Sequence, residues 1–451
     1  MTLRSSVLFL LALALTSPAS PQDWPSFRGP FAKGVADGQD LPAEWDVAKL
    51  RNIRWTQTLP GVGHSSPIVS GDRVFVTTAV AAEPPTLVLG DKGGIEPAED
   101  RAPVSWRLLC LDAKTGAILW DREAYRGAPR AKRHAKASQA NATPVTDGKT
   151  VVALFGSEGV AAFDRDGTAL WRADLGVLDP GLLDDPGSQW GHASSPVIFE
   201  DLAVVQVDRH RESFLAAYDL ASGRPAWKVA REERPVWATP TLHVVDGKPE
   251  LVVVGGLHVG GYDPRTGEER WRFKDVAEVK TPTPFVAQGL VILAGGYRGR
   301  PLFAIREGAR GDVSVPESAP KGPFLAWRTK PGGPYTTTPV AYRDLLYMVR
   351  DEGVLGVYEL ATGALVYRER TGATHSASPV ASDGKIYVPS EEGQVLVLRA
   401  GRSFDVLARN EMGETVFATP AIANGTLYVR TRGHLYAIAG PRKEAKGPEG
   451  P

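Results

Sequence analysis

The chain has 451 residues, with 52 basic against 52 acidic side chains, eight histidines and one cysteine. A formal net charge of zero leaves no electrostatic footprint for nucleic acid, and a lone cysteine excludes an internal disulfide framework. Its 48 glycines and 36 prolines suit a turn-rich all-β protein.

Residues 1–19 join Arg4 to an apolar run from Val7 to Leu15, with small residues around Ala19. That is a secretory signal, too short to span a membrane, with cleavage expected after Ala19. No cysteine stands near the cleavage site, so the mature protein is expected to be soluble, without a lipid anchor, in the periplasm or outside the cell. Residues 20–51 form a lead segment and 441–451 a polar tail with nothing to bury.

Between them, one phrase returns. GHSSPIVSGDRVFVTTA, residues 63–79, reads as two short strands around the Gly71-Asp72 turn, headed by Pro67. Equivalent Ser/Thr-Pro hairpins are headed by Pro144, Pro196, Pro240, Pro284, Pro339, Pro379 and Pro420, at steps of 77, 52, 44, 44, 55, 40 and 41 residues. A base step of 40 to 44 residues is the length of one four-stranded propeller blade. Proline cannot donate to a strand ladder, so it belongs at the start of the innermost strand, whose free edge faces the channel. The small Ser or Thr beside it suits a crowded axis.

A second phrase follows the hairpins. LCLDAKTGAILW ends at Trp120, and matching segments end at Trp171, Trp227, Trp271 and Tyr367; Trp327 holds the same place in its blade. A strand, an Asp, a Gly turn and a strand ending in a large aromatic make the outer half of a blade, and the aromatic fills the wedge between twisted sheets. Trp227, Trp271, Trp327 and Tyr367 precede the next proline by 13, 13, 12 and 12 residues, and Trp55 precedes Pro67 by 12 although no hairpin comes before it. The last hairpin, after Pro420, lacks a fourth strand. Residues 52–440 are therefore expected to form an eight-bladed β-propeller of four-stranded antiparallel blades, its ring closed by the N-terminal strand. The protein is expected to be a monomer.

Loops between blades and loops joining second to third strands share one face. Most elaboration falls there, at 80–104, 125–141 and 176–192, whereas 307–325 lies on the far side. The basic run at 126–136 reads as a solvated loop. Residues three or four before each proline stand at the channel mouth on the elaborated face: His64, His192, Trp237, Lys280, Tyr335, His375 and Phe417, with Trp190 and His134 in adjoining loops. Together they suggest a site for a small ligand or a protein partner. The three histidines of the mouth belong to the first, third and seventh blades, too far apart to share a metal. Cys110, inside an apolar strand, reads as an inert core thiol.

The D-x-x-T-G-x-x-x-W half-blade beside the Ser/Thr-Pro hairpin resembles the pyrroloquinoline quinone (PQQ) repeat of quinoprotein dehydrogenases and related propellers. DWPSFRGP, NIRW and GHSSPIV are similar to an exported bacterial group of PQQ-like propellers common in planctomycetes and acidobacteria. The resemblance implies the propeller fold over nearly the whole mature chain; fold alone does not carry chemistry. Quinoprotein dehydrogenases hold the quinone against two adjacent bonded cysteines, with Ca²⁺ on carboxylate and amide ligands and an Asp base. Cys110 has no partner for such a ring, and no matching Glu, Asn and Asp set is found. The expectation is a non-catalytic binding or protein-interaction scaffold with no resident cofactor and no metal; the alternative is a redox enzyme using PQQ with calcium. A second relative is the propeller lipoprotein of outer-membrane assembly, a scaffold whose lipid-accepting cysteine this chain lacks.

Overall fold

The computed structural model describes residues 23–440 except 91–93, 95, 183, 184, 186, 277, 278 and 298–300. The expected signal at 1–19 and tail at 441–451 lie outside the described residues. Seven four-stranded antiparallel blades follow one another from Ile68 to Glu411. The eighth joins Ala421–Ala423, Thr426–Arg430 and His434–Ile438 to the N-terminal strand Ile53–Thr58, with Ile53 opposite Ile438 and Thr58 opposite His434. The strand that the aromatic spacing assigned to the last blade thus closes the ring. Blade four has a fifth strand, because Gly311–Asp312 of the 307–325 insertion pairs in parallel with Trp271 and Arg272.

Apolar side chains form wedges between blades in place of one central core. One wedge joins Val152, Leu154 and Ala162 of blade two to Val205, Phe214 and Tyr218 of blade three. Another joins Tyr347 and Val357 of blade six to Ile386 and Leu396 of blade seven. Burial of this kind is the main favourable term in folding.

Two polar devices set how the blades meet, and both are written into the repeat. At the axis, seven of the eight Ser or Thr residues before the blade-heading prolines donate their N–H to the hydroxyl of their counterpart in the next blade. Ser66 donates to Thr143 at 2.9 Å, Thr143 to Ser195 at 2.9 Å and Ser195 to Thr239 at 3.0 Å. The series continues from Thr239 to Thr283 at 3.2 Å, Thr283 to Thr338 at 2.9 Å, Thr338 to Ser378 at 2.9 Å and Ser378 to Thr419 at 3.0 Å. These hydroxyls therefore do more than fit a crowded axis: they satisfy N–H groups that no ladder reaches. Where blade eight meets blade one, the buried Arg430 donates to Ser65 Oγ at 2.6 Å and to Thr77 O at 2.8 Å.

At the periphery, the repeat aromatics Trp55, Trp120, Trp171, Trp227 and Trp327 lie on the turn of the following blade. A Cβ added at Gly116 would meet the Trp55 ring at 2.6 Å, one at Gly167 the Trp120 ring at 2.8 Å, and one at Gly223 the Trp171 ring at 2.5 Å. The indole N–H groups of Trp55, Trp120, Trp171 and Trp327 donate to Ala113, Arg165, Leu220 and Leu360, the residue after the acidic position of the next turn. That acidic residue builds the turn: Asp112 Oδ1 accepts from the N–H groups of Lys114 and Thr115. Blade five has no such turn, and Trp271 donates instead to Glu250 of its own blade at 2.9 Å. Trp227 is only half-buried, and among the described residues its indole nitrogen and the Tyr367 hydroxyl have no hydrogen-bond partner.

The lead segment is a stopper. Trp24 exchanges backbone hydrogen bonds with Val69 of blade one at 2.9 and 2.8 Å, and Pro25 O accepts from Thr146 of blade two at 2.9 Å. The chain then crosses the channel. Arg28, fully buried, donates to Pro339 O at 2.8 Å and Pro379 O at 3.0 Å, the blade-heading prolines of blades six and seven. Burial with carbonyl partners alone pulls the Arg28 pKa down to about 9. Beyond it, the Asp383 carboxylate accepts from the N–H groups of Gly38, Gln39 and Asp40, and the chain continues to the closing strand.

The axial bonds make a prediction. Thr239→Val keeps the shape but strands the buried Ser195 N–H, so chemical denaturation should show a loss of roughly 1–3 kcal/mol. Thr239→Ser should stay within about 0.5 kcal/mol of wild type. Equal stability of the valine and serine variants would mean that these bonds carry no weight.

Candidate functional site

Stoppered below by the lead segment, the channel opens on the elaborated face as a blind cup of about 850 Å³. Its floor holds Phe27 and the hydroxyls Ser66, Thr143, Ser195, Thr239, Thr283, Thr338, Ser378 and Thr419. One wall is aromatic. Trp190 and Trp237 pack at a tilt of 36° with 5.8 Å between ring centres, and Tyr297 and Tyr335 meet at 5.6 Å. Across the ring, His64 lies on Phe417 at 4.7 Å.

Loops 80–104 and 125–141 join over the mouth. Pro97–Ala98 pairs with Arg133–His134, and the His134 Nε2–H donates to Gly94 O at 3.1 Å. From this cover Lys136 reaches blade seven and pairs with the fully buried Glu391 at 2.5 Å. Glu391 also accepts from the Ser376 hydroxyl at 2.5 Å and from Gly90 N–H at 2.8 Å. Asp351 accepts from the N–H groups of Tyr335 and Thr336, each at 3.1 Å, and from the Thr336 hydroxyl at 2.8 Å. Burial nevertheless raises its pKa above the usual carboxylate value.

Of the residues expected at the mouth, His64, Trp237, Tyr335 and Phe417 line the cup, as do Trp190 and His134. His192, Lys280 and His375 do not. His192 turns between blades, donates Nε2–H to Gln206 O at 3.1 Å and is held neutral by burial, with its pKa lowered to about 4. Lys280 is 1 % exposed and is consumed by Gly255 O at 2.9 Å and the Asp275 carboxylate at 2.8 Å. The His375 ring bonds Pro389 O at 2.7 Å and the Thr371 hydroxyl at 2.8 Å, and burial lowers its pKa. His192 and His375 bond backbone carbonyls of their own blades, whereas Lys280 bonds Gly255 O of blade four and its charge is neutralised by the Asp275 carboxylate, so it is not available to an anion in the cup. His64 lines the cup with Nε2–H given to Lys136 O at 3.0 Å, and burial beside Arg430 lowers its pKa to about 3.

Sequence reasoning missed Phe27, Lys136, Asp351 and Glu391. The RDEG and SEEG turns at 350–353 and 390–393 carried a signal, an acid in a mouth-side loop of two successive blades. Among the described residues, no group of three or more His, Cys, Asp or Glu side chains is placed to hold a metal ion. Cys110 is buried in a strand of blade one, and burial pushes its thiol pKa up to about 12.

The sequence profile of the family described as outer membrane protein assembly factor BamB, built on PQQ-type repeats, matches residues 46–181, 104–366 and 211–438. The chain belongs to this family. A BamB of Burkholderia pseudomallei is 33 % identical over 117 residues, covering 26 % of this chain and 30 % of that protein. The crystal structure of BamB from Moraxella catarrhalis superposes with a TM-score of 0.54 at 15 % identity, over 80 % of this chain and 98 % of that one. A quinohemoprotein alcohol dehydrogenase of Comamonas testosteroni gives a TM-score of 0.62 at 12 % identity, over 94 % and 82 % of the two chains. At such identities both structures share the fold with this BamB-family chain. No helix among the described residues is long and apolar enough to cross a membrane.

The neutral histidines have a pH signature. His192 binds a proton near 6.5 when unfolded and only near 4 when folded, so the unfolded state holds more protons between these values. The stability that this difference contributes is present above 6.5 and is lost as pH falls towards 4, by roughly 3 kcal/mol for so large a shift. Denaturation curves from pH 7 down should therefore fall less steeply for His192→Gln than for wild type; parallel curves would remove this histidine from the acid response.

Proposed function

We propose that this chain is an exported, non-catalytic binding propeller whose ligand enters the blind cup at the channel mouth. The observation that carries the reading is the cup itself: one wall of aromatic rings above a polar floor, closed by Phe27, in a rigid ring of blades. The family membership supports a scaffold, and the residues 1–19 support export.

PQQ is a poor match for the chemistry of the cup. Its carboxylates need cations or N–H donors, and the lysine among the described lining residues, Lys136, is already paired with Glu391. Asp185, Asp351 and Glu391 would add like charge, and Cys110 sits in the blade-one wedge, where no cysteine ring can form. No redox step is assigned to these side chains.

The test is equilibrium dialysis of purified protein, once against PQQ with Ca²⁺ and once against a small-molecule extract of the envelope fraction. The expected result is an extract component enriched by wild type and not by Trp237→Ala, with no quinone absorbance retained. Quinone co-eluting with the protein, together with dye-linked alcohol oxidation, would establish the redox alternative.

A further inference from the structure

Hydrogen-bond accounting narrows what the cup can hold. Thr143, Ser195, Thr239, Thr283, Thr338, Ser378 and Thr419 each accept an N–H from the preceding blade. Among the described residues, none of the seven gives its own proton to a protein acceptor. A hydroxyl with one accepted bond keeps one O–H donor and one lone pair, and the accepted bond polarises the donor. The floor therefore presents a ring of hydroxyls with unused capacity of both kinds, at closely similar depth.

Charge is spent by comparison. Lys136 and Glu391 neutralise one another, and Asp351 is filled by three donors. Asp185 stands exposed at the rim, where its Oδ1 accepts from Gly187 N–H at 3.1 Å. Among the described lining residues, an anion finds no unpaired cation and an ammonium group finds no deep carboxylate without partners. The wall offers the rings of Trp190, Trp237, Tyr297 and Tyr335, which suit the C–H face of a flat polar molecule. Phe27 and Arg28 block the far end, so a long chain can enter only by its terminus.

Resting on the cup as the ligand site, we propose that it binds the end of a neutral oligosaccharide. Sugar ring faces lie on the Trp190–Trp237 wall, and sugar hydroxyls exchange hydrogen bonds with the floor. An uncharged polyol with apolar ring faces meets both demands at once, whereas a charged metabolite leaves its charge unpaired and a hydrocarbon leaves the floor unsatisfied.

The experiment titrates the full-length mature protein with maltotriose, cellotriose and tri-N-acetylchitotriose, and in parallel with spermidine and citrate. Tryptophan fluorescence and saturation-transfer NMR report binding. The expected result is saturable binding of at least one trisaccharide with a Kd of about 1 mM or tighter. Binding should weaken at least ~10-fold in Trp237→Ala. Because that variant also loses the bond from its indole N–H to Gly191 O, Ala193→Trp provides a second one that fills the cup without removing a wall residue, and it should weaken binding as much. If spermidine or citrate binds in a Trp237-dependent way and the trisaccharides do not, the saccharide assignment is wrong and the cup remains a ligand site. Trisaccharide binding that both variants leave intact would place the saccharide elsewhere and overturn the assignment. Failure of all five probes also overturns it, and the dialysis against extract then decides separately whether the cup binds anything.

Discussion

A blade-heading proline frees the chain at the axis from ladder bonding, and the residue before it must then find a partner for its own N–H. In this propeller the partner is the hydroxyl of the equivalent residue one blade further on. Leaving a buried N–H unmade costs about 1–3 kcal/mol, so repeating the bond around the ring fixes the spacing of the innermost strands more firmly than packing of small side chains could. The same choice leaves the hydroxyl protons unspent, and that surplus makes the floor of the cup polar.

The periphery repeats the principle with larger groups. For Trp55, Trp120, Trp171 and Trp327 the turn of the next blade supplies a carbonyl to the indole N–H, beside a glycine that leaves room for the ring. Where the 307–325 insertion replaces that turn, Trp271 finds Glu250 instead, inside a cluster that also holds His243 at 3.0 Å. Neighbouring blades are thus joined by polar bonds at the axis and at the rim, with apolar wedges between. Two fully buried arginines secure the places where the repeat has no device of its own. Arg430 ties blade eight to blade one, and Arg28 anchors the stopper to blades six and seven.

Periodicity made the ring legible: eight Ser/Thr-Pro hairpins, four aromatic residues 12 or 13 residues before the next proline, and one stray Trp55 whose distance matched. These signals are local and repeat, so one copy interprets another. The site was legible only in part. His64, Trp237, Tyr335 and Phe417, picked by position before the proline, line the cup, but position does not say which way a side chain turns. His192, Lys280 and His375 occupy the same repeat place and turn towards backbone carbonyls within and between blades. The Lys136–Glu391 pair joins residues 255 apart in sequence, and the path of 23–40 under the channel follows no repeat. Neither has a second copy in the chain against which it could be recognised.

The central claim is that the axial hydroxyls are bonded acceptors holding the blades around a blind cup. Amide hydrogen exchange at Thr143, Ser195, Thr239, Thr283, Thr338 and Ser378 tests it most directly, because these N–H groups lie outside the strand ladders. The account predicts exchange as slow as in the central strands, governed by global unfolding. Exchange at the rate of open loops, with the strands still protected, would contradict it.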